Sequence, residues 1–164
     1  MIKRAALALL LLSACAPEAA PPKEPEAPVV ETPAAPTADV AKYKAAPAGE
    51  ITVASPVAGA RVTSPLMAEG SAINDWFFEG QFVAELVVDG QTLVQAPAMQ
   101  SGDKNWTDPG PVGFKAELAF DVTKETNAEL ILSEDMPEYI DEPNDIRGPA
   151  RSVRIPVVLL PPAK

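Results

Sequence analysis

The chain predicts an all-β fold: an immunoglobulin-like antiparallel β-sandwich of about seven strands, preceded by a disordered Pro/Ala-rich linker. Three observations lead there. Beyond residue 50 apolar and polar residues alternate with period two, no stretch holds a 3.6-residue apolar period, and the alternating runs are short and separated by Gly, Pro, Asn and Asp. Several such runs in roughly 110 residues match the strand density of a two-layer sandwich, with a small barrel as the structural alternative. The whole chain has one cysteine, so no intramolecular disulfide supports the domain. A domain of this size buries enough apolar surface to fold without one.

The strands follow in order. Ile51 to Ala54 reads as the first, stopped by Ser55-Pro56, and Leu66 to Ala72 as the second, after Ser64-Pro65. In "QFVAELVVDGQTLVQAPA", Phe82, Ala84, Leu86 and Val88 share one face, while Gln81, Glu85 and Asp89 take the other. Asp89-Gly90 then supplies the residues of a tight primed turn, which predicts a hairpin. "GFKAELAFDV" repeats the alternation with Phe114, Ala116, Leu118, Phe120 and Val122 inward. Leu130 and Leu132 fall in another short strand, and Val153, Ile155, Val157 and Leu159 in the last.

The N-terminal third differs in kind. Lys3 and Arg4 precede an apolar run from Ala5 to Leu12, too short to span a bilayer, and Ser13-Ala14-Cys15 follows. "LSAC" resembles the lipobox of bacterial lipoproteins. The resemblance implies a signal peptide over 1–14, diacylglycerol on the Cys15 sulfur and an acylated new amino terminus. Ala16 stands where an aspartate would retain such a protein in the inner membrane, which implies the outer membrane, facing the periplasm or the cell surface. Residues 16–48 contain eight prolines and a single aromatic, Tyr43, and cannot bury enough apolar surface to offset their ordering entropy. The division is therefore a signal peptide over 1–14, a lipidated cysteine and disordered linker over 15–48, and the sandwich over 49–164. As extended polyproline II, at about 3.1 Å per residue, the linker reaches on the order of 100 Å and lifts the domain off the membrane.

The folded part also resembles a family. "ITVASPVAGARVTSPLMAEGSA", then "FEG" at Phe78 to Gly80, a hairpin, "NWTDPGPVGFKAELAF" and "LILSED" stand in the order seen in the bacterial immunoglobulin-like domain associated with spore germination. The likeness covers roughly Glu50 to Leu160. It implies an all-β extracytoplasmic domain, often carried on lipoproteins, and lends no catalytic residue. It assigns Phe78, Glu79 and Gly80 to maintenance of the fold. Phe78 then begins the inward face continued by Phe82, which leaves Trp76 and Phe77, with Trp106 of "DKNWTDPGP", as candidate ligand-binding residues.

Composition narrows the chemistry. There is no histidine, and the one cysteine is the lipidation site, so histidine-based nucleophilic catalysis and the usual zinc sites are excluded. No Gly-rich phosphate loop is present. Paired carboxylates are supplied by any acidic surface, and no catalytic residue or cofactor is expected. The formal charge is −10, and removing Lys3 and Arg4 leaves 11 basic and 23 acidic residues, or −12, which argues against nucleic acid and against a polybasic grip on lipid. Membrane attachment then comes from the lipid on Cys15. "SEDMPEYIDEPNDIRGP" crowds oxygen ligands into a loop but lacks EF-hand spacing. No metal is expected, and Asp135, Asp141 and Asp145 are the residues a calcium ion would use. These features predict a non-enzymatic, lipid-anchored envelope module that presents its domain to a protein or a glycan. The alternative is an accessory or inhibitor subunit of an envelope enzyme or a secretion or transport assembly.

Overall fold

The computed structural model describes residues 42–162. They form eleven strands: β1 (Tyr43–Ala45), β2 (Ile51–Ser55), β3 (Ala60–Val62), β4 (Leu66–Ile73), β5 (Gln81–Val88), β6 (Gln91–Ser101), β7 (Pro111–Leu118), β8 (Thr126–Ser133), β9 (Tyr139–Asp141), β10 (Ile146–Arg147) and β11 (Ala150–Leu159). Two single 3-10 turns, Asn74–Trp76 and Glu142–Asn144, are the only helical pieces among the described residues.

Nine strands make one curled sheet with the ladder order β1-β11-β8-β5-β6-β7-β4-β2, and β3 pairs with β11 as well. Strands β9 and β10 form a separate hairpin. The all-β expectation holds, and three details differ from the sequence reading. The strand count is higher, because short pieces such as β1, β3 and β10 carry too few residues to show an alternating pattern. The sheet is mixed, since β1 and β3 both run parallel to β11. The ladder is also continuous. Strand β6 pairs with β5 from Gln91 to Met99 and with β7 from Met99 to Ser101, so one strand belongs to both limbs and the sheet curls about it.

The curl brings the inward faces together. Phe82, Ala84 and Leu86 of β5 are buried with Phe114, Ala116 and Leu118 of β7, Leu130 and Leu132 of β8, and Ile155, Val157 and Leu159 of β11. These are the alternating positions the sequence marks. Phe120, Val122, Val88 and Val153 are only partly buried and pack at the margin. Phe82 is the hub: its ring meets Trp76, Phe77 and Phe114 edge-on at centroid separations of 5.6, 5.1 and 5.0 Å. Each such pair contributes about 0.5–1.5 kcal/mol beyond the burial itself. Both two-residue turns at the ends of β5 have positive φ at each centre, Glu79 and Gly80 before it and Asp89 and Gly90 after it. That geometry matches the right-handed twist of the flanking strands.

Strand structure begins earlier than composition predicts. Tyr43 to Ala45, placed by composition in the disordered segment, pair in parallel with Ala150 to Ser152. The reason lies on the far face of the sheet, where Tyr43 packs with Ile131 and Ala150 in a second small apolar cluster. The same strand buries Glu85, which alternation assigns to solvent. Tyr43 Oη donates to Glu85 Oε2 at 2.7 Å, and Lys42 Nζ lies 3.3 Å from Oε1. Burial, reinforced by the Glu85 charge and opposed by Lys42, holds the Tyr43 phenol above its ordinary value, so it stays a donor.

Tyr43→Phe leaves the buried Glu85 carboxylate with Lys42 alone and is expected to cost about 2 kcal/mol in urea denaturation. Adding Glu85→Leu to Tyr43→Phe should recover most of that loss, because an apolar pair leaves no carboxylate unsatisfied. A double variant as unstable as the single one would show that the strand holds by packing alone.

Candidate functional site

The structure reverses the assignment of the aromatic triplet. Trp76 is fully buried and Phe77 is 5 % exposed, whereas Phe78 is 41 % exposed. Trp76 and Phe77 are thus core residues rather than a binding surface. The cause is local: Asn74–Trp76 turns as a 3-10 helix, which breaks the strand parity that would have pointed Phe78 inward with Phe82. Phe78 instead closes the Glu79-Gly80 turn, exchanging backbone hydrogen bonds with Gln81. Trp106 is half-buried against the core. Its backbone N–H donates to Gln100 Oε1 at 2.9 Å, and its ring lies over Gly80, where a Cβ would come within 3.4 Å of Trp106 Cδ1. Trp76 and Trp106 pack on one core and share no exposed surface.

The end of the domain that holds Trp76 is built around Arg151. This residue is the second of β11, and its backbone N–H and Nε donate to Glu134 Oε1 and Oε2 at 2.6 and 2.7 Å. Its Nη1 donates to Glu50 Oε2 at 2.8 Å, and that same oxygen accepts the Trp76 indole N–H at 3.2 Å. Glu134 is buried, and the Arg151 guanidinium is mostly so. One cation therefore ties the approach to β2, the 3-10 turn and the end of β8 to β11. Where β8 and β11 leave this clasp, residues 135–149 form an excursion that carries the β9–β10 hairpin.

That hairpin displays apolar side chains. Met136 and Tyr139 are each 42 % exposed, Ile146 is 47 % and Ile140 is 71 %. Sequence reasoning read the segment as a loop of oxygen ligands and passed over these residues. The signal was present, since Tyr139-Ile140 and Ile146-Arg147 flank the turn residues Asp141 to Asp145 as a hairpin would. Acidic residues outnumbered them and masked the pattern.

Beside the clasp lies an open cleft of about 420 Å³, lined by Tyr43, Glu85, Ser133, Asp135, Arg147 and Ala150 among others. Its buried acid Glu85 is already engaged by Tyr43 and Lys42, and Glu134 by Arg151. Asp135 is held above its ordinary value by burial first, with the Glu79 charge adding and Arg147 opposing. Asp135, Asp141 and Asp145 do not converge: among the described residues no group of three or more acidic, cysteine or histidine side chains is placed to hold a metal ion. Asp141 Oδ2 accepts from Asn144 Nδ2 at 2.7 Å, and Asp145 sits at a left-handed corner. Cys15 and the signal segment lie outside the described residues.

No protein-family model matches the chain, and no curated protein matches it.

Two measurements test the clasp and the cleft beside it. Arg151→Met strands the buried Glu134 carboxylate and is expected to destabilise the domain by about 3 kcal/mol, the low end for a broken buried pair because some solvent reaches it. Asp135 has a folded pKa above its unfolded value of 3.8, so the native state binds its proton more tightly and loses stability as pH rises through the folded value. Asp135→Asn is therefore expected to raise the melting temperature at pH 7, with the gain shrinking to nothing below the unfolded value. A gain independent of pH would show that the charge is not its source.

Proposed function

We propose that this chain is a lipid-anchored, non-enzymatic module of the bacterial cell envelope that presents an immunoglobulin-like domain to a protein ligand. The reading joins two ends of the sequence. At the N-terminus, "LSAC" supplies the lipidation pattern at Cys15, and the acyl chains attach the protein with each buried CH₂ contributing about 0.8 kcal/mol. At the folded end, the limb β2-β4-β7 faces the limb β5-β8-β11 across the Phe82–Phe114 contact, an arrangement that supports a two-layer sandwich of the germination-associated immunoglobulin-like kind.

The observation that carries the binding role is the β9–β10 hairpin, whose apolar side chains point to solvent beside a clasp in which the buried charges are already paired. Apolar groups held in the open on a braced element favour recognition over chemistry. A glycan ligand, which stacks on exposed aromatic faces, is less well served, because Trp76 and Phe77 are core residues, Trp106 is half covered and the exposed Tyr139 ring carries the Arg147 guanidinium, which leaves Phe78 as a single exposed ring among them. On this reading an outer-membrane location follows from Ala16, and the linker sets the distance of the domain from the lipid.

The anchoring is tested in cells. The chain should sediment with membranes and incorporate radiolabelled palmitate, and Cys15→Ala should lose the label and accumulate unprocessed. Label and processing that persist in Cys15→Ala would remove the lipoprotein reading.

A further inference from the structure

We infer that the β9–β10 hairpin is a docking surface for a cationic protein segment that carries apolar side chains. The inference rests on the binding-module reading and names the chemistry of the partner.

The hairpin is braced before anything binds. Arg147 Nη1 donates to the Pro137 carbonyl oxygen at 2.7 Å, and its guanidinium lies over the Tyr139 ring at 3.9 Å. The Gly148 N–H donates to the Glu138 carbonyl at 2.8 Å, and a Cβ on Gly148 would come within 3.1 Å of Ile140 Cγ2, so Ile140 leans on bare backbone. The turn is closed by Asp145 N–H to the Glu142 carbonyl and by the Asn144–Asp141 side-chain bond. Tyr139 and Ile140 are therefore held in place and the backbone that carries Ile146 is paired, so little ordering entropy remains to be lost when a partner covers them.

The rim selects the partner. Glu138, Asp141, Glu142 and Asp145 flank these residues along the hairpin and its turn, and none of the four has an ion-pair partner among the described residues. The hairpin's one cation, Arg147, is folded back onto Tyr139. A second copy of this chain would bring the same four acids against themselves, and an anionic bilayer would be repelled for the same reason. A segment with Lys or Arg flanking apolar residues meets both the apolar centre and the acidic rim, and the field of the rim speeds its encounter.

The test uses the purified chain and three labelled synthetic peptides of equal length, one of alternating Leu and Lys, one of alternating Leu and Glu, and one of alternating Gly and Lys. Fluorescence polarisation at low salt should show the Leu/Lys peptide binding at least about tenfold more tightly than either control. Ile140→Ser with Ile146→Ser should weaken it by about tenfold or more, the affinity lost with two exposed apolar contacts. Glu138→Gln, Glu142→Gln and Asp145→Asn together should weaken it similarly and flatten its dependence on salt. Met67→Ser, at an exposed apolar residue on β4, should leave binding unchanged. Circular dichroism melts confirm that each variant is folded. Equal binding of the Leu/Glu peptide would overturn the inference, as would hairpin variants that bind like the parent or concentration-dependent dimerisation abolished by Ile140→Ser. Peptide binding does not involve Cys15, so failure of the anchoring reading would appear only in the fractionation and labelling experiment.

Discussion

The matched charge of Arg151 is the constraint on which the end of this domain depends, because three chain segments meet on its one guanidinium. Burying Glu134 as an anion is unfavourable by several kcal/mol without a partner. The backbone N–H and Nε of Arg151 satisfy both oxygens of that carboxylate, and Nη1 extends the cluster to Glu50. Glu50 in turn accepts the Trp76 indole N–H, so the polar edge of the largest core residue is satisfied by the same network. Removing any member would leave a buried polar group exposed to low dielectric. The network therefore specifies where β2, the 3-10 turn, β8 and β11 converge more than it adds to net stability.

The apolar interior is organised from the opposite direction. Phe82 receives Trp76 and Phe77 from the turn that precedes β5 and Phe114 from β7 on the other limb. Strand β6 is shared by both limbs, so the curl of the sheet and the meeting of these rings require each other. A sheet that stayed open would leave Phe82 and Phe114 without partners on their inner face. On the outer face, β1 seals Glu85 and Ile131, which joins the segment arriving from the N-terminal side to the sheet rather than leaving it as a tether. The hairpin, by contrast, is held by local bonds and by its two connections to the clasp. An element built this way can expose Ile140 without endangering the core.

Much of the fold was legible in the residues. Alternation marked Phe82, Ala84, Leu86, Phe114, Ala116, Leu118, Leu130 and Leu132 as core, and Asp89-Gly90 marked its turn. Period-two patterning survives in any single sequence because each strand must present one apolar face regardless of its neighbours. The candidate site was legible only in part. Composition identified the segment from Glu134 to Asp145 as unusual, yet it suggested ligands for a cation where the structure holds an apolar display within an acidic rim.

What the sequence determined by itself was class and patterning: an all-β domain, its inward faces, its tight turns, and an acidic chain with no histidine and a single cysteine. Those properties follow from local alternation, turn chemistry and composition, which need no knowledge of distant contacts. Tertiary structure alone decided that Trp76 and Phe77 are core while Phe78 is exposed, that Glu85 is covered, and that Glu134 and Glu50 share Arg151. The first follows from the 3-10 turn at Asn74–Trp76, and the other two depend on residues far apart in the chain: Tyr43 over Glu85, and Glu50 across from Arg151. Exposure is a property of what packs against a side chain, and a one-dimensional pattern records only which side chains would accept burial.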